Sequence, residues 1–101
     1  MTRITKEQSE KYAEELINVL HKNSQDKNLL REFLKDLLTP NEYRDMGIRW
    51  QIIKRLVKNG KHREIASDLK IGIATVGRGS RELNDKNGGF WQMVKKLGKN
   101  L

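Results

Sequence analysis

The sequence predicts an all-α protein that contains a helix-turn-helix. Apolar residues recur at helical spacing along the chain, beginning with the stretch from Tyr12 to Leu20. The breaks between these stretches contain capping residues, the single proline or paired glycines. From His62 to Leu83, two short helical stretches flank Lys70-Ile71-Gly72, which is the layout of a helix-turn-helix.

The first two predicted helices, in the segment 1–39, have broad apolar faces. Thr5 and Gln8 can form the capping box that starts the first helix. The second helix carries a face wider than one contact needs, with Leu29, Leu30, Phe33, Leu34, Leu37 and Leu38. Apolar residues make up only 36% of the 101 residues, so a monomer would have a thin core. We therefore predict that these are dimerisation helices in a homodimer.

A central helix is predicted over residues 40–60. Thr39 can cap it, Pro40 suits its first position, and Glu42 completes a capping box. Gly60 is predicted to stop it. One predicted apolar stripe consists of Met46, Trp50, Ile53 and Val57, with Ile52 and Leu56 beside it.

The predicted helix-turn-helix occupies residues 61–84. Ala66 is small where its two helices should cross, and Ile71 should plug the turn. Gly72 is expected to adopt dihedrals that a β-branched residue cannot, and Val76 should turn inward. A break at Asn87-Gly88-Gly89 precedes the last predicted segment, 87–101, a helix with Phe90, Val94 and Leu97 on one side.

Positive charge is concentrated in the second half of the chain. Residues 1–47 carry eight Lys or Arg and nine Asp or Glu, a net charge of −1, whereas residues 48–101 carry thirteen against four, a net charge of +9. The second half is therefore predicted to bind a polyanion, and nucleic acid fits better than a membrane surface, because the basic residues do not face one apolar stripe. The lack of cysteine and of a long apolar run favours a cytoplasmic protein that does not contact a membrane.

Catalytic patterns are missing from the sequence. His21 and His62 are the only histidines, and neither has a cysteine or an acid pair nearby at metal-ligand spacing. The sequence contains no G-x-S-x-G, P-loop or G-x-G-x-x-G motif. We therefore expect a protein that is not an enzyme and has no metal or cofactor.

Three motifs resemble the tryptophan repressor family of bacteria: Leu38-Thr39-Pro40-x-Glu42, Gly47-x-Arg49, and the run from Gly72 to Ser80, GIATVGRGS. The resemblance extends over about half the chain. It implies six helices per chain in an intertwined homodimer. It also implies a repressor that binds a palindromic operator in double-stranded DNA when L-tryptophan is bound as corepressor, and that regulates genes of tryptophan biosynthesis or transport.

The resemblance assigns a ligand site by position. Arg49 and Arg78 would sandwich the indole ring, because guanidinium planes stack on aromatic rings. Arg78 would also pair with the ligand carboxylate, helped by the Thr39 hydroxyl, and Gly79 would leave room for the ring.

The same resemblance assigns acceptors for the ligand ammonium group. Main-chain carbonyls near Asp36 and Leu38 would accept from it. Family members often have serine where Glu82 stands, and the Glu82 carboxylate can also accept from the ammonium. The loop from Lys58 to His62 is one residue shorter than the usual family pattern.

The DNA contacts implied by the resemblance begin with Arg63, which would reach a guanine from the first helix of the motif. Ile73, Ala74 and Thr75 would meet base edges, partly through water. The corepressor would wedge the helix-turn-helix outward, so that the two recognition helices of the dimer match successive major grooves. The remaining residues expected to contact DNA, mainly at its phosphates, are Gly72, Gly77, Arg78, Arg81, Pro40 and Gln51.

Two alternatives remain open from the sequence. One is a helix-turn-helix regulator of the same fold with a different ligand or none. The other is a small basic RNA-associated helical protein, for which binding would depend strongly on salt and show little preference among duplexes.

Overall fold

A computed structural model describes residues 3–101, so residues 1 and 2 of the first predicted segment lie outside the described residues. The described residues form six α-helices and a short 3-10 turn, without a strand, which confirms the predicted all-α class. The chain divides into two compact units, the first ending at Tyr43 and the second being Arg44–Leu101. The helices are α1 Lys6–Lys22, α2 Lys27–Leu37, α3 Pro40–Val57, α4 His62–Leu69, α5 Ile73–Asn84 and α6 Gly89–Leu97, and the 3-10 turn is Gly98–Asn100.

Helix starts in the first unit are fixed by side-chain caps. The predicted capping box of α1 is confirmed, since the Thr5 N–H donates to Gln8 Oε1 at 2.9 Å and the Gln8 N–H donates to Thr5 Oγ1 at 3.0 Å. Asp26 caps α2 by accepting from the Leu29 N–H at 3.1 Å. These bonds satisfy backbone donors that the first turn of a helix cannot pair internally.

The apolar faces of α1 and α2 are only partly covered within one chain. Every residue of these two helices is exposed or half-buried. Tyr12 is 56% exposed, Ile17 53% and Leu29 50%. Such faces gain stability only if another surface covers them. The dimerisation role remains a prediction.

The second unit holds the core, which lies where α3, α4 and α5 meet. Its buried residues are Ile52, Ile53, Ile65, Ala66 and Val76. Ile71 packs against this cluster from the turn between α4 and α5. The predicted roles of Ala66 as a small core residue, Ile71 as a plug and Val76 as an inward residue are thereby confirmed.

The core face of α3 differs from the predicted stripe. Met46 is 41% exposed, while Ile52 is buried and Ile48 and Leu56 pack beside it. Ile48, Ile52 and Leu56 are spaced four residues apart, so they form one stripe that faces α4 and α5. Ile53 of the predicted stripe is fully buried, whereas Met46 at the start of that stripe is exposed within one chain.

The structure refines the predicted role of Gly60 and corrects that of Gly72. Helix α3 ends at Val57, and Asn59 rather than Gly60 has the left-handed φ of 64°. Gly60 still contributes to the stop, because its N–H donates to the carbonyl oxygen of Arg55 at 2.8 Å, and a Cβ there would lie 2.8 Å from that oxygen. Gly72 has an extended backbone with φ −70°, and Lys70 takes the left-handed φ of 57° that ends α4.

Candidate functional site

A cleft of about 710 Å³ lies within the second unit. Its lining comes from α3, from α5, from the turn between α4 and α5, and from Phe90 of α6. Apolar side chains such as Ile48 and Phe90 line it together with charged ones. A concave, partly apolar space of this size is typical of a small-molecule site.

Four of the predicted ligand residues line this cleft together: Arg49, Arg78, Gly79 and Glu82. Helix α3 supplies Arg49 and α5 supplies the other three. With Asp45 and Arg81, the lining contains three arginines and two acids, a net charge of +1. The cleft is therefore suited to a ligand with a negative group and an apolar part.

Arg78 and Glu82 form an ion pair within the cleft lining. Arg78 Nε donates to Glu82 Oε1 at 3.0 Å. The two residues are one helical turn apart on α5, so the i, i+4 spacing brings their side chains together. Both side chains remain substantially exposed, at 68% and 45%, and so remain accessible to a ligand.

Gly79 lets α5 approach α3 closely. A Cβ at Gly79 would lie 2.9 Å from Cγ2 of the buried Ile52, which is closer than real Cβ contacts allow. The motif therefore has a packing reason for glycine at this position. Room for a ligand ring beside Gly79 remains a prediction.

The other predicted ligand residues, Asp36, Leu38 and Thr39, belong to the first unit. Asp36 lies in the last turn of α2, where carbonyl groups have no partner within the helix and the dipole favours a cation. Leu38 is the C-cap of α2, and its N–H donates to the carbonyl oxygen of Leu34 at 3.0 Å.

Thr39 forms the predicted capping box with Glu42 at the start of α3. Its N–H donates to Glu42 Oε1 at 2.9 Å, and its Oγ1 accepts from the Glu42 N–H at 3.2 Å. Hydrogen bonds from the Thr39 backbone, and secondly from its side chain, lower the pKa of Glu42 because they favour the charged carboxylate.

Three of the residues predicted to meet DNA bases lie at the start of α5, and all three are exposed. Ile73 is 55% exposed, and Ala74 and Thr75 are exposed beside it. Gly72, Ala74 and Thr75 also line the cleft. The two predicted surfaces therefore overlap at the first turn of α5.

The remaining predicted DNA residues are distributed over three helices. Arg63 is exposed on α4, and Arg81 is exposed on α5 and lines the cleft. Gly77 is half-buried in α5, and Gln51 is half-buried in α3. Pro40 is exposed at the start of α3, in the first unit.

Six cleft residues were not predicted as part of a site: Asp45, Ile48, Ile52, Ile53, Ile71 and Phe90. Asp45 precedes Arg49 by four residues, and this helical spacing puts them on one side of α3. That spacing was a usable signal for Asp45. The position of Phe90 depends on how α6 packs, which local spacing does not encode.

Among residues 3–101, no cluster of three or more His, Cys, Asp or Glu side chains is arranged to hold a metal ion. No helix in the described part of the chain is both long and apolar enough to cross a membrane.

The fold and cleft define an all-helical protein whose helix-turn-helix adjoins a cleft lined by charged and apolar side chains. Comparison with known proteins narrows this class. The family model for Trp repressor protein matches residues 11–98. The chain belongs to the Trp repressor family, which consists of transcription regulators and not of enzymes.

Similar individual proteins bear the name Trp operon repressor homolog. One from Haemophilus influenzae is 38% identical over 71 residues, which cover 69% of this chain and 70% of that protein. One from Actinobacillus succinogenes is 42% identical over 66 residues, covering 64% of this chain and 65% of that protein. One from Vibrio campbellii is 36% identical over 69 residues, covering 67% and 69%.

Proposed function

We propose that this protein is a cytoplasmic, homodimeric repressor that binds operator DNA when L-tryptophan occupies the cleft of the second unit. The supporting observation is that the cleft and the exposed start of α5 share Gly72, Ala74 and Thr75. A ligand in the cleft would touch the same helix turn that meets base edges. Ligand binding could thereby select the orientation of α5 that fits a major groove.

The cleft lining suits the indole ring and the carboxylate of a tryptophan molecule. Ile48 and Phe90 offer apolar contact to an indole ring. Arg49 and Arg78 provide guanidinium planes for stacking, and Arg78 provides donors for the carboxylate. Asp36, Leu38 and Thr39 are proposed as additional ligand residues on the basis of the family motif alone.

The charge distribution supports DNA as the macromolecular partner. Residues 48–101 carry a net charge of +9, and the basic residues Arg63, Arg78 and Arg81 are exposed on α4 and α5. Phosphate contacts by such side chains would orient the protein, while Ile73, Ala74 and Thr75 would distinguish sequences. A dimer would present two copies of α5 to a palindromic operator.

The decisive experiment has two stages. Calorimetric titration of L-tryptophan should show one site per chain with a dissociation constant of about micromolar order. Duplexes selected from a random library with L-tryptophan present should be palindromic, and their affinity should fall when the ligand is removed. Tight binding of the same duplexes without ligand would instead support a ligand-independent regulator. Equal affinity for duplexes of different sequence would support the RNA-associated alternative.

Two arginine variants separate the ligand from the DNA contact. Arg78→Ala should abolish L-tryptophan binding and weaken DNA binding, because Arg78 lines the cleft. Arg63→Ala should leave ligand affinity unchanged and weaken operator binding by about 1–3 kcal/mol, since a guanine contact would be lost. Loss of ligand binding in Arg63→Ala would contradict this division.

A further inference from the structure

The ion pair in the cleft leaves binding capacity on both partners. The bond from Arg78 Nε to Glu82 Oε1 uses one of the five N–H donors of the guanidinium group. The terminal amino groups of Arg78 can therefore hold a second carboxylate. Glu82 can likewise accept from a second cation, since a carboxylate has about four acceptor positions.

We infer that Glu82 is a specificity-determining residue, which makes the cleft select a zwitterionic amino acid over an anion with the same ring. This inference rests on the proposed function, because it concerns the ligand of that cleft. A carboxylate bound to Arg78 lies close to the negative charge of Glu82. An anion without an ammonium group meets this repulsion, whereas a zwitterion places its own positive charge beside Glu82.

The spacing of the pair matches an α-amino acid. The carboxylate and ammonium of such a ligand are attached to the same carbon atom, so their protein partners must be neighbours. Arg78 and Glu82 meet this condition, because they are joined by a hydrogen bond of 3.0 Å. Asp45 also lines the cleft, but it lies on α3 and its Oδ1 is 3.8 Å from Nε of Arg44. Glu82 is therefore the acid that the geometry assigns to the ammonium group.

The test compares two ligands on two proteins. L-Tryptophan and indole-3-propionate share the ring and the carboxylate, but only L-tryptophan has the ammonium group. Glu82→Gln keeps the length of the side chain and an oxygen that can accept from Arg78 Nε, while it removes the charge. Both affinities are measured by calorimetry at one ionic strength, and circular dichroism checks the helix content.

The wild type should prefer L-tryptophan to indole-3-propionate. In Glu82→Gln, indole-3-propionate should bind more tightly, because a repulsive charge is gone. The affinity for L-tryptophan should not increase. The ratio of the two affinities should fall about tenfold, which lies between the strengths of an exposed ion pair and a charge-assisted hydrogen bond. An unchanged ratio, or a wild type that prefers indole-3-propionate, would overturn the inference.

Two matched variants assign the effect to Glu82. Glu64→Gln makes the same chemical change on α4, and Asp45→Asn neutralises the other acid of the cleft. Glu64→Gln should keep the wild-type ratio. Asp45→Asn should lower the ratio less than Glu82→Gln does, because Asp45 forms no ion pair with Arg78. If the affinity ratio fell in Asp45→Asn and not in Glu82→Gln, the assignment of the effect to Glu82 would be overturned. If the wild type binds neither ligand, the proposed function itself fails, which is a different result from an unchanged ratio.

Discussion

Gly77 and Gly79 lie two residues apart in α5 but meet different surroundings. A Cβ at Gly77 would have only Arg81 Nη1 near it, at 3.7 Å, which is an ordinary contact. A Cβ at Gly79 would press on Ile52 at 2.9 Å. The same substitution should therefore have opposite effects at these two positions.

Gly77→Ala should raise the free energy of unfolding by about 0.5–1 kcal/mol, because alanine loses less backbone entropy in a helix. Gly79→Ala should lower it by about 1–2 kcal/mol, because overpacking the core against Ile52 outweighs the helix gain. Urea denaturation at one protein concentration measures both changes. Equal stabilisation by the two variants would show that α3 and α5 can separate at no cost.

At this scale the sequence predicts some residue roles and not others. The motif around Gly79 was recognisable, but its contact with Ile52 depends on how α3 crosses α5. The left-handed residue was expected at Gly72 and is found at Lys70. Its conformation lets the Ile71 N–H donate to the carbonyl oxygen of Ala66 at 3.0 Å, while Ile71 packs against the core. Lysine gives no local signal for this conformation, because it rarely adopts it.

Helices α1 and α3 begin with the same kind of capping box but with different chemistry. Gln8 completes the box of α1, and Glu42 completes that of α3. Only the second box contains an ionisable group. This difference makes the start of α3 sensitive to pH.

Glu42→Gln should destabilise the protein at neutral pH and have little effect in acid. The pKa of Glu42 is lowered from 4.5, so its contribution to stability is present above that value and is lost as the pH falls through the lower folded-state pKa. Thermal unfolding of wild type and variant from about pH 7 to about pH 3 should show the difference in Tm shrinking. Gln8→Ala is the neutral control, with an effect that stays constant. If the difference in Tm between wild type and Glu42→Gln also stayed constant with pH, the charge of Glu42 would be ruled out as the cause.

The starts of α1 and α3 were predictable because their capping boxes are local, whereas the buried face of α3 was predictable only in part. Met46 and Ile48 are both apolar, and the helical spacing of α3 allows either stripe. The position of α4 and α5 decides that Ile48 and Ile52 face the core. That choice is tertiary, so the sequence pattern alone could not make it.

For the whole molecule, we predict that a single chain is not the stable form, because large apolar residues of α1 and α2 are exposed in it. We expect a sedimentation mass near twice 11.8 kDa at about 10 μM, with a Tm that rises with protein concentration. Leu29→Glu should weaken association and lower the Tm, because it places a charge in the covered face. Lys11→Glu, also on an exposed helix position, should do neither. A wild type that sediments as a single chain would contradict the dimer.

The overlap of the cleft with the first turn of α5 has a thermodynamic consequence for occupied DNA. Energetic coupling between two binding sites is reciprocal. If a ligand in the cleft raises the affinity of the protein for a duplex by some factor, the duplex raises the affinity for the ligand by the same factor. Protein bound to its operator would then keep its ligand at free ligand concentrations that are too low to load protein away from DNA. Occupied operators would be the last to respond as the supply of ligand falls.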